Sequence, residues 1–120
     1  MERFIIGSII CGDGQTHEDM SYAKDFEDGK DKLIDLINEN REWIEQEKAS
    51  QAHWKNIDNF LFFIGLIDND TIPTIDDGSM GEILINGVDM IYALELSIYD
   101  EIDFDKIIDD LKSFAIEINE

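Results

Sequence analysis

Residues 82–100 read EILINGVDMIYALELSIYD, and the fold class turns on whether this stretch is strand or helix. Asn86-Gly87 lies between two apolar runs. That dipeptide is a strong hairpin signal, because both residues accept the positive φ that a two-residue turn requires. After it, Met90, Tyr92, Leu94, Leu96 and Ile98 alternate with positions that include Ala93, Glu95 and Ser97. Period two means a strand with one buried face. A helix through 88–99 is the rival reading.

Downstream, IYDEIDFDKIIDD (98–110) packs six carboxylates around one lysine. Asp103 holds the position of a helix N-cap. Behind it Phe104, Ile107, Ile108, Leu111, Phe114, Ala115 and Ile118 form an amphipathic stripe. An isolated helix of this length is marginal, so the stripe must dock on the rest of the chain.

Upstream, DNDTIPTIDDGSMG (68–81) has a loop's composition and contains the only proline, Pro73. Ser50 reads as the N-cap of a helix carrying Trp54, Ile57, Phe60, Leu61, Ile64 and Ile67 on one stripe. An earlier helix starts at Lys30, with Leu33, Ile34, Leu36, Ile37, Arg41 and Ile44 at the 3.6 period. RFIIGSIIC (3–11) is a β-branched run bounded by Gly12 and Gly14, which predicts a strand buried on both faces. Residues 12–19 are expected as loop, with a short helical turn within 18–27. The order β-α-α-β-β-α predicts an α+β fold: a small, mostly antiparallel sheet of about three strands, with helices packed on one face. Residues 1–120 fit a single domain.

The apolar content of 43% argues for a packed core. The charge is unusual: 29 Asp+Glu against 9 Lys+Arg, for a net −20. Direct nucleic-acid binding is excluded by that balance, since phosphate contacts need Lys and Arg. Anionic membrane surfaces are repelled for the same reason. FLFFIGLI (60–67) is a core segment, well short of the ~18 apolar residues that span a bilayer. In MERFIIGSIICGDG, Glu2 cancels the one basic residue, and Gly7 and Ser8 break the apolar run, so no signal peptide is expected. Cys11 is the only cysteine and permits no internal disulfide. It reads as a small core residue in a reducing compartment, and a cytoplasmic location is expected.

Chemical signatures are sparse. Gly12-Asp13-Gly14 is too short for a phosphate loop and lacks the following Lys-Ser/Thr. An EF-hand starting at Asp68 would need an oxygen ligand at 72 and glycine at 73, where the chain has Ile72 and Pro73. Weak, irregular calcium binding by this acidic loop is the least favoured alternative. His17 and His53 have no zinc-ligand spacing; the first reads as a loop residue, the second as a helix-surface residue beside Trp54. With two histidines and one buried-reading cysteine, a nucleophilic triad is hard to assemble. The expectation is a non-enzyme without cofactor or metal.

Charge distribution carries the functional reading. Residues 56–105 hold 12 acids and no base. Chains that seek only solubility intersperse both signs. A one-sign field steers cationic partners at high on-rates. Capping at a helix N-terminus accounts for part of the 98–110 cluster, at about 0.3–1 kcal/mol per carboxylate. The predicted partner-binding residues are Asp100, Glu101, Asp103, Asp105, Asp109 and Asp110, together with Asp76 and Asp77. Trp43 and Trp54 read as core, and either becomes an anchor if exposed near acids. The expected partner is a basic protein, above all a nuclease toxin or other nucleic-acid-handling enzyme, which an immunity protein or antitoxin would neutralise by covering its basic site. A non-inhibitory interaction module or small subunit is the alternative. Whether the chain is a monomer or a homodimer is open.

Overall fold

The computed structural model describes residues 2–12, 15–51, 56–76 and 83–115. It is an α+β fold with two sheets and two helices. The main sheet has four strands: β1 (Glu2–Gly12), β2 (Gln15–Ala23), β3 (Asn59–Asp68) and β6 (Asp89–Ser97). Their order is β2-β1-β3-β6, and every pair is antiparallel. Helix α1 (Phe26–Ala49) and helix α2 (Phe104–Ser113) share one hydrophobic cluster on one face. Strands β4 (Thr74–Asp76) and β5 (Leu84–Asn86) pair into a second, two-stranded sheet, whose Ile75 and Ile85 pack against a separate cluster on the opposite face.

Strand β1 explains the layering. Ile6 and Ile10 belong to the helix-side cluster, while Ile5 and Ile9 belong to the other. Because side chains alternate along a strand, both faces of its isoleucine run are buried, as the sequence predicts. Gly7 sits in the middle, where a Cβ would lie 2.9 Å from the Phe63 ring and 2.8 Å from the Asp19 carbonyl. Only glycine lets β2 and the Phe63 side chain approach that closely.

Strand β3 overturns the second helix expected after Ser50. Ser50 instead ends α1, its N–H donating to the carbonyls of Gln46 and Glu47. Phe60, Phe62 and Ile64 point to the helices, while Leu61, Phe63 and Ile67 point to the opposite cluster. A strand buried on both faces is apolar at every position, so any periodicity can be drawn through it. Its length and its β-branched and aromatic content were the better guides. Trp54 lies outside the described residues.

Strand β2 overturns the expected loop over 15–19 and the helical turn expected after it; residues 13 and 14 lie outside the described residues. Only Met20 and Ala23 in it are other than exposed, so it has no apolar alternation to read. The ladder to β1, from Phe4 opposite Ala23 to Gly12 opposite Gln15, holds it in place. Helix α1 accordingly starts earlier than Lys30, at Phe26, with the Asp25 carboxylate accepting the N–H of Asp28.

The strand reading of 88–99 is borne out as β6, paired from Ser97 opposite Asn59 to Asp89 opposite Leu66, but a register shift between Ile64 and Gly65 leaves Met90 exposed and sets Ile91 against the helix-side cluster in its place. The Asn86-Gly87 hairpin is not borne out. Gly87 does take the positive φ, +91°, that the dipeptide suggests. The strands on either side of it, however, belong to different sheets: β5 pairs with β4, and β6 with β3. Residues 68–81, read as loop, contribute β4 directly after Pro73. Helix α2 begins as predicted after the N-cap Asp103, but it ends at Ser113 with Phe114 as its extended C-cap, so Phe114 and Ala115 of the expected stripe fall beyond it. Ile118 lies outside the described residues.

Candidate partner-binding surface

Helix α1 runs for 24 residues, α2 for 10. At 1.5 Å per residue α2 is less than half as long, so it covers the β6 side of the sheet only in part. Tyr92, Leu94 and Leu96 on the helix-side face of β6 are therefore half-buried. The gap between β6 and α2 is an open groove of about 730 Å³ lined by Leu94, Leu96, Ile102 and Ile107, with Glu101, Asp103, Asp110, Lys48 and Lys106 around them.

Of the predicted acids, Glu101, Asp103 and Asp110 line this groove, while Asp100, Asp105 and Asp109 lie near it on the same loop and helix, and their duties differ. Asp103 caps α2, its Oδ1 accepting the N–H of Lys106 at 3.1 Å. Asp100 terminates β6: its Oδ2 accepts the N–H of Ser97 at 2.8 Å. Asp105 is paired with Arg41 of α1, Nη1 to Oδ1 at 3.0 Å. That bond, with Glu45 adding to it, holds the Arg41 guanidinium above its ordinary value. Glu101, Asp109 and Asp110 are exposed and have no ion pair among the described residues. Asp110 also acts on its surroundings. Burial first, and the Asp110 charge second, push the Tyr92 phenol up. Asp76 lies elsewhere, in β4 on the far side of the main sheet. Asp77 lies outside the described residues.

Several of the bases spend their hydrogen bonds on backbone carbonyls or aromatic rings. Lys30, 7% exposed, donates to the carbonyls of Lys112 at 2.9 Å and Phe114 at 2.8 Å, at the C-terminal end of α2. Lys48 donates to the carbonyls of Ile98 and Asp100, on the loop leading into α2. The Arg3 guanidinium stacks 3.5 Å from the Tyr22 ring centre. Lys32 donates to the Tyr22 carbonyl at 2.8 Å and pairs with Asp28 at 3.4 Å. The backbone N–H of Lys24 is the chief cause holding the Asp28 carboxyl below its ordinary value, with Lys32 assisting. The ion pairs formed between described residues include Lys30–Glu27, Lys32–Asp28, Arg41–Glu45 and Arg41–Asp105.

A second acidic site escapes the sequence reading. Between α1 and β2, two adjoining hollows of about 360 and 240 Å³ share Asp19 and Glu39. Asp35 and Lys32 line one of them, His17, Asn40 and Trp43 the other. The His17 and Trp43 rings meet edge-on at 5.4 Å. His17 is thus a strand residue facing α1 rather than a loop residue. Trp43 is 39% exposed rather than core, and it stands beside Glu18, Asp19 and Glu39. The stripe Asp35, Glu39, Trp43 at i, i+4 and i+8 could have signalled this flank. The missing half was β2, which brings Asp19.

Among the described residues, no group of three or more His, Cys, Asp or Glu is placed to hold a metal. Cys11 is buried, its Sγ 3.8 Å from Thr16 Oγ1. No described helix is long and apolar enough to cross a membrane, a statement that does not extend to strands. No protein-family model, curated protein or solved structure matches this chain.

Proposed function

We propose that this is an acidic binding protein that engages a basic, nucleic-acid-handling protein, and that it serves as an immunity protein or antitoxin masking a nuclease's phosphate-binding site. One observation carries the reading: the two α1 lysines beside the late-chain acids, Lys30 and Lys48, are directed to backbone carbonyls, and among the described residues no ion pair reaches Glu101, Asp109 or Asp110, which stay outward. A field of one sign backed by an apolar core accelerates encounter with a cationic surface. The partner's arginines and lysines would meet carboxylates where they otherwise meet phosphates.

The test is capture of partners from the native host at low salt, followed by assay of the captured protein's nuclease activity with and without this chain. The expected partner is basic, and its association slows several-fold when Glu101, Asp109 and Asp110 are replaced by lysine. A partner without nucleic-acid chemistry, or an on-rate insensitive to both salt and charge reversal, would overturn the proposal. Salt-insensitive binding would instead indicate a non-inhibitory interaction module.

A further inference from the structure

The two edges of the main sheet differ in kind. The β2 edge is polar and exposed, with Glu18 and Asp19 along it. Charge of that sort discourages edge-to-edge pairing. The β6 edge runs DMIYALELS and has no lysine and no proline. It borders the half-covered groove beneath α2.

The register defines which backbone groups of β6 face outward. Ile98 N–H donates to the Asp58 carbonyl at 2.8 Å, and Ser97 stands opposite Asn59. In an antiparallel ladder, hydrogen-bonded pairs recur every second residue. Leu96, Leu94 and Tyr92 therefore bond to β3, while Ser97, Glu95 and Ala93 turn their N–H and C=O to the free edge. Ser97 is already satisfied at the edge: its N–H takes the Asp100 carboxylate, and its carbonyl takes the Asp100 N–H. Among the described residues, the edge groups of Ala93 and Glu95 have no such cover.

We propose that the β6 edge accepts an added strand from the basic partner, hydrogen-bonded to Ala93 and Glu95, with its alternate side chains in the groove. The proposal rests on the acidic-binder reading and states how such a partner docks. Strand addition draws affinity from main-chain bonds and specificity from pockets for alternate side chains. The groove walls fix the guest's pattern. Apolar side chains pack on Leu94, Leu96, Ile102 and Ile107, and flanking Lys or Arg side chains meet Glu101 and Asp110. The Lys48 ammonium in the same wall is held by the carbonyls of Ile98 and Asp100, and the groove's three acids, Glu101, Asp103 and Asp110, outnumber its two lysines, Lys48 and Lys106. Tyr99, 71% exposed, stands at the end of the edge as a further contact. A second copy of the chain is the poorer guest, since pairing would bring two molecules of net −20, and the Glu95 of each, to one seam.

The experiment uses the full chain and three fluorescein-labelled nine-residue peptides of alternating valine and lysine. One has a normal backbone, one is N-methylated on its valines, and one is N-methylated on its lysines. Fluorescence anisotropy at low salt reads affinity, and hydrogen exchange reads the amides of Ala93 and Glu95. The normal peptide should bind and protect both amides. N-methylation of one alternate set should weaken binding about tenfold or more, while the other set leaves it unchanged, because only one set points at β6. Ala93→Pro removes an edge donor without touching the β3 ladder and should weaken binding by a similar factor. If that variant fails to fold, the methylated peptides on the parent decide.

Equal affinity for all three peptides, or binding without protection at Ala93 and Glu95, overturns strand addition and leaves the acidic-binder reading standing. Absence of binding by every peptide also overturns strand addition, and the capture experiment then judges the broader reading separately. A concentration-dependent dimer in sedimentation that Ala93→Pro abolishes would assign the edge to self-association and overturn the proposal.

Discussion

Replacing Lys30 with methionine should destabilise the protein by about 2–4 kcal/mol. The change keeps most of the aliphatic stem and its burial beside the Phe26 ring, whose centre lies 5.7 Å from the ammonium. It removes two hydrogen bonds from a charged donor, to the carbonyls of Lys112 and Phe114. Bonds to a charged group contribute about 1.5–3 kcal/mol each. Returning the ammonium to water in the wild-type unfolded state is favourable and offsets part of that sum. Buried charges are sometimes replaced by apolar groups with a gain, when both partners go together. Here the two acceptors remain at a helix terminus that carries partial negative charge, so the loss should dominate. The pair with Glu27 adds little, because that carboxylate is 79% exposed at 3.8 Å. Urea unfolding followed by circular dichroism should show a lower midpoint with an unchanged slope. For a chain of this size the melting temperature should fall by about 10 °C. A loss below about 0.5 kcal/mol, or a gain, would refute the view that Lys30 fastens the end of α2.

Net charge sets a second expectation. At −20, self-repulsion opposes compaction, so the urea midpoint should rise between low and moderate NaCl as carboxylates are screened. A flat or falling midpoint would show that the acids are too dispersed to matter. Tyr92 gives a third: its folded value lies above the unfolded one of about 10. Its contribution is complete below that unfolded value and disappears as pH rises through the folded one. Tyr92→Phe should therefore match the parent near neutrality and lose less stability at strongly alkaline pH; identical alkaline losses in thermal melts would contradict the assignment.

The sequence was legible wherever an element had one wet face. Strand β6 and helix α2 each bury one side, and their periods, with the Asp103 cap, located them. Strand β3 was misread because burial on both sides erases periodicity, and β2 because an exposed edge has no apolar pattern. The acidic site was legible in part for a related reason. Carboxylates near a helix start can be read from local spacing, so Asp103 was assigned correctly as a cap. The Arg41–Asp105 pair and the lysine-to-carbonyl bonds join residues far apart in sequence, and no local pattern reports them. The cleft holding Asp19, Glu39 and Trp43 was hidden behind the missed strand β2.

Lys48 and Lys30, both on α1, secure α2 at its entrance and its exit. A short helix fastened at two points cannot swivel, so the spacing of Asp109 and Asp110 relative to the β6 rim is settled before any encounter. Little ordering entropy would then be lost from this side when a guest arrives. Replacing the buried Lys30 ammonium would loosen the exit end of that frame without altering a side chain of the groove.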